Sequence, residues 1–262
     1  MSDSDLKGKL AIVTGASKGI GLAITRALAR EGARVVAAAR AASNGLDALA
    51  QDADVDFVPV DLGTAAGAAE LVAAVATHGI PDVLINNVGA VTPRTQGFLE
   101  VTDEQWLFSL NLNLMAAVRV TRATLPSMIT AGRGVIVTTS SVNAHLPDPS
   151  VIDYSAAKAA LTNFCKSLSK EVGPAGIRVN TISPGPVATD LWLGTNGVAA
   201  QLAHSGQLAP EAVAARAAAG SVTGRFTRAD EVADLVLFLA SDHAANITGA
   251  DFTIDGGLTT TL

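Results

Sequence analysis

Thr14-Gly15-Ala16-Ser17-Lys18-Gly19-Ile20-Gly21 is the stretch on which the fold turns. A short apolar run, residues 10–13, leads into it. Residues 20–30 leave it with helical periodicity, Ile20, Ile24, Ala27 and Leu28 falling on one side. Gly15 permits a tight turn, and small residues let backbone N–H groups at a helix N-terminus approach an anion such as a pyrophosphate. The spacing, Gly-x-x-x-Gly-x-Gly, differs from the Gly-x-Gly-x-x-Gly of the commonest dinucleotide fingerprint, but the physics is shared. Glycines alone are a weak signal, because a strand-to-helix turn also uses them for geometry.

Downstream the chain alternates. Residues 35–39 and 55–60 are short apolar runs, 71–78 read as a helix and 83–85 as a strand. One long helix is expected from about 103 to 129. Residues 135–137 are β-branched and end in Thr138-Thr139-Ser140-Ser141. A helix follows over about 153–172, then a strand over 177–182 stopped by Pro184-Gly185-Pro186. Residues 229–239 are helical, and 252–254 close the pattern as a last strand. Such alternation implies a parallel sheet covered on both faces by helices, and strands apolar on both sides are what that sheet requires. The expected architecture is α/β: one Rossmann-like, doubly wound parallel sheet of about seven strands, a single domain over residues 1–262.

Composition narrows the class. Of 262 residues, 49% are hydrophobic and 16% charged, which excludes a disordered chain, and the 24 glycines show no three-residue period. The single cysteine, Cys165, can make neither an internal disulfide nor a cysteine zinc cluster, so a cytoplasmic setting is expected. A net charge of -6 argues against a general nucleic-acid binder. Mean hydropathy is +0.37, yet no run reaches the ~18 apolar residues of a membrane span. The first ten residues, with Asp3, Asp5, Lys7 and Lys9, carry no apolar signal core.

One segment breaks the rhythm. Residues 191–210 hold no Lys, Arg, Asp or Glu, and Gly194, Asn196, Gly197, Ser205 and Gly206 are expected to prevent a clean helix. A long uncharged insertion in a compact domain suits a mobile lid over a ligand.

Chemistry is suggested at two places. Tyr154 and Lys158 lie four apart, on one helix face. Tyrosine alone is a poor acid, with a reference pKa near 10, and a neighbouring ammonium is expected to lower it. Tyr154 is also the only tyrosine. Ser141 follows the strand at 135–137, at the carboxyl end where open sheets place ligands; its hydroxyl can donate to a carbonyl oxygen as negative charge develops. Ser140 points the other way. A Tyr and a Lys one turn apart are common, however, and a serine there is often only a turn cap.

With these residues in place the chain resembles the short-chain dehydrogenase/reductase family over residues 10–257. Thr14-Gly15-x-x-x-Gly19-x-Gly21 is similar to its cofactor motif, and Asn86-Asn87-Val88-Gly89 to its Asn-Asn-Ala-Gly motif, with Val88 in the alanine place. Ser141, then Tyr154 thirteen residues on, then Lys158 matches its catalytic spacing. Trp106, Asn113 and Pro126 match the long helix bearing its fourth catalytic residue, which maps to Asn113; Asn111, two positions away, would face elsewhere. Pro184-Gly185-Pro186-Val187-x-Thr189 matches the nicotinamide-side motif, and Ile247-Thr248-Gly249 with Asp255-Gly256-Gly257 the closing segment.

The resemblance implies an oxidoreductase acting on a ketone or its alcohol. It assigns catalysis to Ser141, Tyr154, Lys158 and Asn113. It assigns the cofactor to Gly15, Ser17, Lys18, Gly19, Ile20, Gly21, Arg40, Asp61, Leu62, Asn87, Val88, Gly89, Pro184, Gly185, Val187 and Thr189, together with Tyr154 and Lys158. Tyr154 would donate a proton to the carbonyl oxygen and Ser141 would hold that oxygen. Lys158 would contact the cofactor ribose and lower the Tyr154 pKa. Asn113 would bind a water linking Lys158 to solvent, and no metal is required. NADP(H) is expected over NAD(H): the strand at 35–39 ends in Arg40 with no acid, and Lys18 is a second cation for a 2′-phosphate. The expected substrate pocket, Asn143, His145, Ile152, Pro186, Leu191 and Trp192, carries no Arg or Lys and so favours a small uncharged carbonyl or alcohol, or a 3-oxo compound. The competing readings are a catalytically silent NAD(P)-binding regulatory module and a lyase or epimerase use of the fold. Apolar Trp106, Leu110, Leu114 and Val118, with Leu161, Phe164, Cys165 and Leu168, suggest a homotetramer, or failing that a dimer.

Overall fold

The computed structural model describes residues 5–206 and 208–261; Gln207, inside the segment at 191–210, and the residues at both ends of the chain lie outside the described residues. Seven strands form one sheet: β1 (Leu10–Thr14), β2 (Arg34–Ala39), β3 (Val55–Pro59), β4 (Val83–Asn86), β5 (Gly134–Thr139), β6 (Ile177–Pro184) and β7 (Asp251–Ile254). Their order is β3-β2-β1-β4-β5-β6-β7, and every pairing is parallel. The order reverses between β1 and β4, and the crevice at the carboxyl ends of those strands is where doubly wound sheets bind ligands.

Two-residue alternation builds two cores. Register aligns Val36, Ile12, Leu84, Ile136 and Val179 in one row across the sheet. That row packs under α3 (Ala65–Ala76), α5 (Ala116–Ala131) and α6 (Ile152–Val172) through Leu71, Val75, Val120, Met128, Leu161 and Cys165. Ala37, Val13, Ile85 and Val137 point the other way. They meet Ile24 and Leu28 of α1 (Gly19–Arg30), Leu46 of α2 (Asn44–Asp52), and Val232 and Val236 of α10 (Ala229–Ala240). Truncating one of these fully buried side chains, such as Leu84, to alanine costs about 2–5 kcal/mol. Among the described residues no helix is long and apolar enough to cross a membrane.

Three expectations are corrected. The helix expected over 103–129 is two: α4 (Asp103–Leu110) and α5, separated by a π-turn at Asn111–Met115. The Asn113 side chain donates to the Ser109 carbonyl at 3.1 Å, the group an unbroken helix would give to the Asn113 backbone N–H. The segment at 191–210 is largely helical despite its glycines: α7 (Asp190–Leu193), α8 (Val198–Gly206) and the start of α9 (Pro210–Ala219). Val198, Ala199 and Ala203 bury one side of α8, so packing overrides weak local propensity. Leu161 and Cys165, expected to face outward, lie in the core beneath α6; the outward apolar residues of this region are Leu107 and Phe108 on α4.

Candidate active site

The glycine-rich turn is sterically obligatory. Gly15 and Gly19 have φ of 67° and 55°. A Cβ on Gly21 would lie 2.1 Å from the Gly15 carbonyl oxygen, so only glycine lets α1 approach the turn. Lys18 caps α1 with extended backbone and no side-chain bond, and no acidic residue occupies the first turn. Its first N–H groups are therefore left for an anion. The Ser43 hydroxyl donates to the Ser17 carbonyl at 2.5 Å and pins the turn to α2. Lys18 and Arg40 are exposed, and among the described residues neither forms a salt bridge.

Asn87 binds this turn to the sheet. Its backbone N–H donates to Thr14 Oγ1 at 2.9 Å, its amide donates to the Thr14 carbonyl at 3.1 Å, and its Oδ1 accepts from Thr139 Oγ1 at 3.3 Å. The Val88 N–H shares Thr14 Oγ1, and a Cβ on Gly15 would sit 3.4 Å from Val88 Cγ2. Asp61 is exposed and bonds within its own loop, its Oδ1 accepting the Gly63 N–H, while Leu62 is buried. Gly185 passes Asp255 so closely that a Cβ would lie 2.8 Å from the Asp255 Cβ, next to Pro184 at the end of β6. Val187 bridges to Thr227, and Thr189 reaches back over the turn, its Cγ2 3.4 Å from where a Cβ on Gly19 would be. Ile20 opens the buried side of α1. The turn at Gly15–Gly21 thus lies against Asn87, Val88 and Thr189.

The catalytic candidates lie just past β5 and on α6. Ser141 follows β5; its Oγ accepts the Asn143 N–H and donates to Asn143 Oδ1, both at 3.2 Å. Ser140 points oppositely, into Thr162 Oγ1 at 2.6 Å, and ties β5 to α6. Tyr154 and Lys158 share one face of α6, with Lys158 Nζ 5.6 Å from the centre of the Tyr154 ring. Lys158 is buried, and its ammonium donates to the Thr139 carbonyl at 2.8 Å. Burial pulls this ammonium down to about 8. Burial also pushes the Tyr154 phenol above its ordinary value, while its bond with the Ser141 hydroxyl works the other way. Of these two influences on the phenol, desolvation is the larger.

Asn113 is fastened to the neighbouring loop. It accepts the Ala90 N–H at 3.0 Å, donates to the Ala90 carbonyl at 2.9 Å, and donates to Ser109. Both of its N–H groups are spent, and Oδ1 keeps one lone pair. Gly89 lies between Asn113 and Lys158: a Cβ there would meet Asn113 Oδ1 at 2.9 Å and Lys158 Nζ at 3.4 Å. Asn111 faces away and donates to the Gly63 carbonyl.

Of the expected pocket residues, Asn143 and the half-buried Ile152 flank Ser141 and Tyr154, and Asn143 also donates to Ser155 Oγ. Pro186 accepts the Thr227 N–H through its carbonyl. Leu191 is exposed, and Trp192 meets Phe226 edge-to-face at 5.5 Å. His145 turns elsewhere, its Nε2 2.9 Å from Asp251 Oδ2. Sequence reading missed Arg94, whose guanidinium is bound to Asp153 beside Tyr154; no local pattern marks a loop arginine as the partner of a helix 59 residues later. Among the described residues no group of three or more His, Cys, Asp or Glu could hold a metal ion.

The chain has known relatives. A family model described as Enoyl-(Acyl carrier protein) reductase matches residues 15–259. The chain is 34% identical to the 3-oxoacyl-[acyl-carrier-protein] reductase of Escherichia coli (strain K12), over 97% of this chain and 98% of that one. It is 37% identical to the D-threitol dehydrogenase of Mycolicibacterium smegmatis, over 98% and 95%. Among solved structures it is similar to L-sorbose reductase from Gluconobacter frateurii complexed with NADPH and L-sorbose, with a TM-score of 0.90 and 35% identity over 99% and 100% of the two chains.

Proposed function

The chain belongs to the short-chain dehydrogenase/reductase family, and on that premise we propose that it reduces an uncharged ketone or 3-oxo compound to the alcohol, or runs the reverse, with NADP(H). The observation that carries this reading is the meeting of Ser141 with Tyr154 and of Tyr154 with Lys158, whose Nζ lies beside Gly89, in a chain whose α1 N-terminus is left uncapped. A silent binding module would have no need of that set.

The residues fit a dinucleotide. The Gly15–Gly21 contact leaves a side-chain-free wall, the α1 N-terminus offers N–H donors to a pyrophosphate, and the exposed Lys18 and Arg40 can take a 2′-phosphate. Bound there, the nicotinamide supplies hydride exchange. Everything else falls to the chain. Ser141 would exchange its bond to Asn143 Oδ1 for one to the substrate oxygen, where charge develops. Tyr154, kept protonated by its burial, would give its proton to that oxygen. Lys158 would leave the Thr139 carbonyl for the ribose hydroxyls and, as a cation next to Tyr154, make the spent phenolate tolerable. Asn113 would steady the loop at Ala90, with its one free lone pair open to a water.

Leu107 and Phe108, 66% and 59% exposed on α4, support assembly into a homotetramer, with a dimer as the lesser form. The lone buried Cys165 suits a cytoplasmic setting. The test is turnover: purified protein with NADPH against neutral ketones, 3-oxo esters and ketoses, and with NADP+ against the alcohols. Reduction of one group of neutral ketones is expected. No turnover in either direction, in protein that binds NADPH, overturns the reading.

A further inference from the structure

Arg94 lies in the loop between β4 and α4, and Asp153 in the first turn of α6, directly before Tyr154. The guanidinium grips the carboxylate with two nitrogens: Nη2 at 2.5 Å from Oδ2, and Nε at 3.2 Å from both oxygens. The pair is almost sealed, with side chains 10% and 2% exposed. The Arg94 backbone N–H also donates to the Ser150 carbonyl at 2.6 Å, so both main chain and side chain of one residue hold the approach to α6. The same loop is fastened at its other end, where Ala90 exchanges two hydrogen bonds with Asn113.

We propose that Arg94 and Asp153 are a positioning pair, a clasp that sets the start of α6, and with it the Tyr154 phenol, against the loop between β4 and α4 and leaves no net charge at that junction. Three features argue for this. A fork on a carboxylate fixes direction as well as distance. Both partners are buried, so neither charge is tolerable alone, and the two must be matched. Asp153 shares the first turn of α6 with Tyr154, so a shift of the clasp is a shift of the phenol. The inference deepens the reading of Tyr154 as the acid and rests on it.

The chain's one tyrosine makes the test direct, because its ionisation can be followed by ultraviolet difference absorbance without any substrate. Asp153→Asn leaves the Arg94 cation unmatched, which favours phenolate; Arg94→Gln leaves the Asp153 anion, which disfavours it. The two should therefore titrate on opposite sides of wild type, separated by about half a pH unit or more, and the double variant Arg94→Gln/Asp153→Asn should return toward it. Loosened packing alone would wet the phenol in all three variants and move them in one direction. Arg94→Lys keeps the charge, loses the fork, and is the variant most apt to fold. With NADPH and ethyl acetoacetate as the probe it should lose roughly tenfold or more in kcat at little-changed KM, with NADPH affinity retained.

Opposite shifts with a returning double variant support the clasp. Shifts of one sign, no shift at all, or Arg94→Lys with wild-type kcat overturn it. If the wild type reduces no ketone, the reading of function fails, and the titrations still decide the clasp.

Discussion

The buried Lys158 ammonium donates to the Thr139 carbonyl at 2.8 Å and, among the described residues, forms no salt bridge. Its folded value of about 8 lies below the 10.5 of a free lysine. Between those two pH values the unfolded chain binds more protons than the native one, so this residue's contribution to stability rises with pH there. Below pH 8 the fold carries the full cost of the buried cation. Lys158→Met should therefore be the more stable protein at neutral pH, by at most about 3 kcal/mol, with the gap closing as pH rises from 8 toward 10.5. Urea unfolding across that range checks it; a gap that widens with pH would contradict the assignment.

Tyr154→Phe removes the transferable proton and keeps the ring. We expect kcat to fall about 10²–10⁴-fold, with folding and NADPH affinity retained. Activity within a few-fold of wild type would remove Tyr154 as the acid.

Gly21 has no room for a side chain, since a Cβ would overlap the Gly15 carbonyl at 2.1 Å. Gly21→Ala must push α1 off the turn. Fluorescence titration should show NADPH affinity reduced at least tenfold, or the protein should fail to fold. Undisturbed binding would mean the turn does not cradle the pyrophosphate.

Cofactor choice should follow Lys18 and Arg40. Charge-assisted hydrogen bonds contribute roughly 1.5–3 kcal/mol, so one such contact gives about ten- to a hundredfold in kcat/KM for NADPH over NADH. Ala39→Asp with Arg40→Ala should erase or reverse the preference by adding a ribose acceptor and removing a phosphate partner. Equal use of NADH by the wild type would show that these cations do not read the phosphate.

Phe108, more than half exposed on α4, is expected in a subunit contact. Light scattering should give a tetramer mass for the wild type and a smaller one for Phe108→Glu. A monomeric wild type at micromolar concentration would sink the assembly.

Much of this protein was legible in its residues alone. The strands could be read because apolar side chains recur within runs of four to eight positions, and the turn at Gly15, Gly19 and Gly21 because its spacing is a local steric demand. Ser141, Tyr154 and Lys158 could be read because a strand end and one helix face are short-range objects. The helices at 198–206 and 210–219 were harder, because burial of Val198, Ala199 and Ala203, and not propensity, makes α8.

What only the tertiary structure decided is what separate segments do to one another. Asn113 fastens Ala90 and opens a π-turn in its own helix; Arg94 closes on Asp153 across 59 residues; His145 turns to Asp251 across 106. The titration of Lys158 and Tyr154 belongs here too, since it is set by how far the folded chain removes each from water. Sequence periodicity carries the geometry of one element at a time. Desolvation and long-range pairing exist only once the elements have packed, and they set the charge and the orientation of the groups that would do the chemistry.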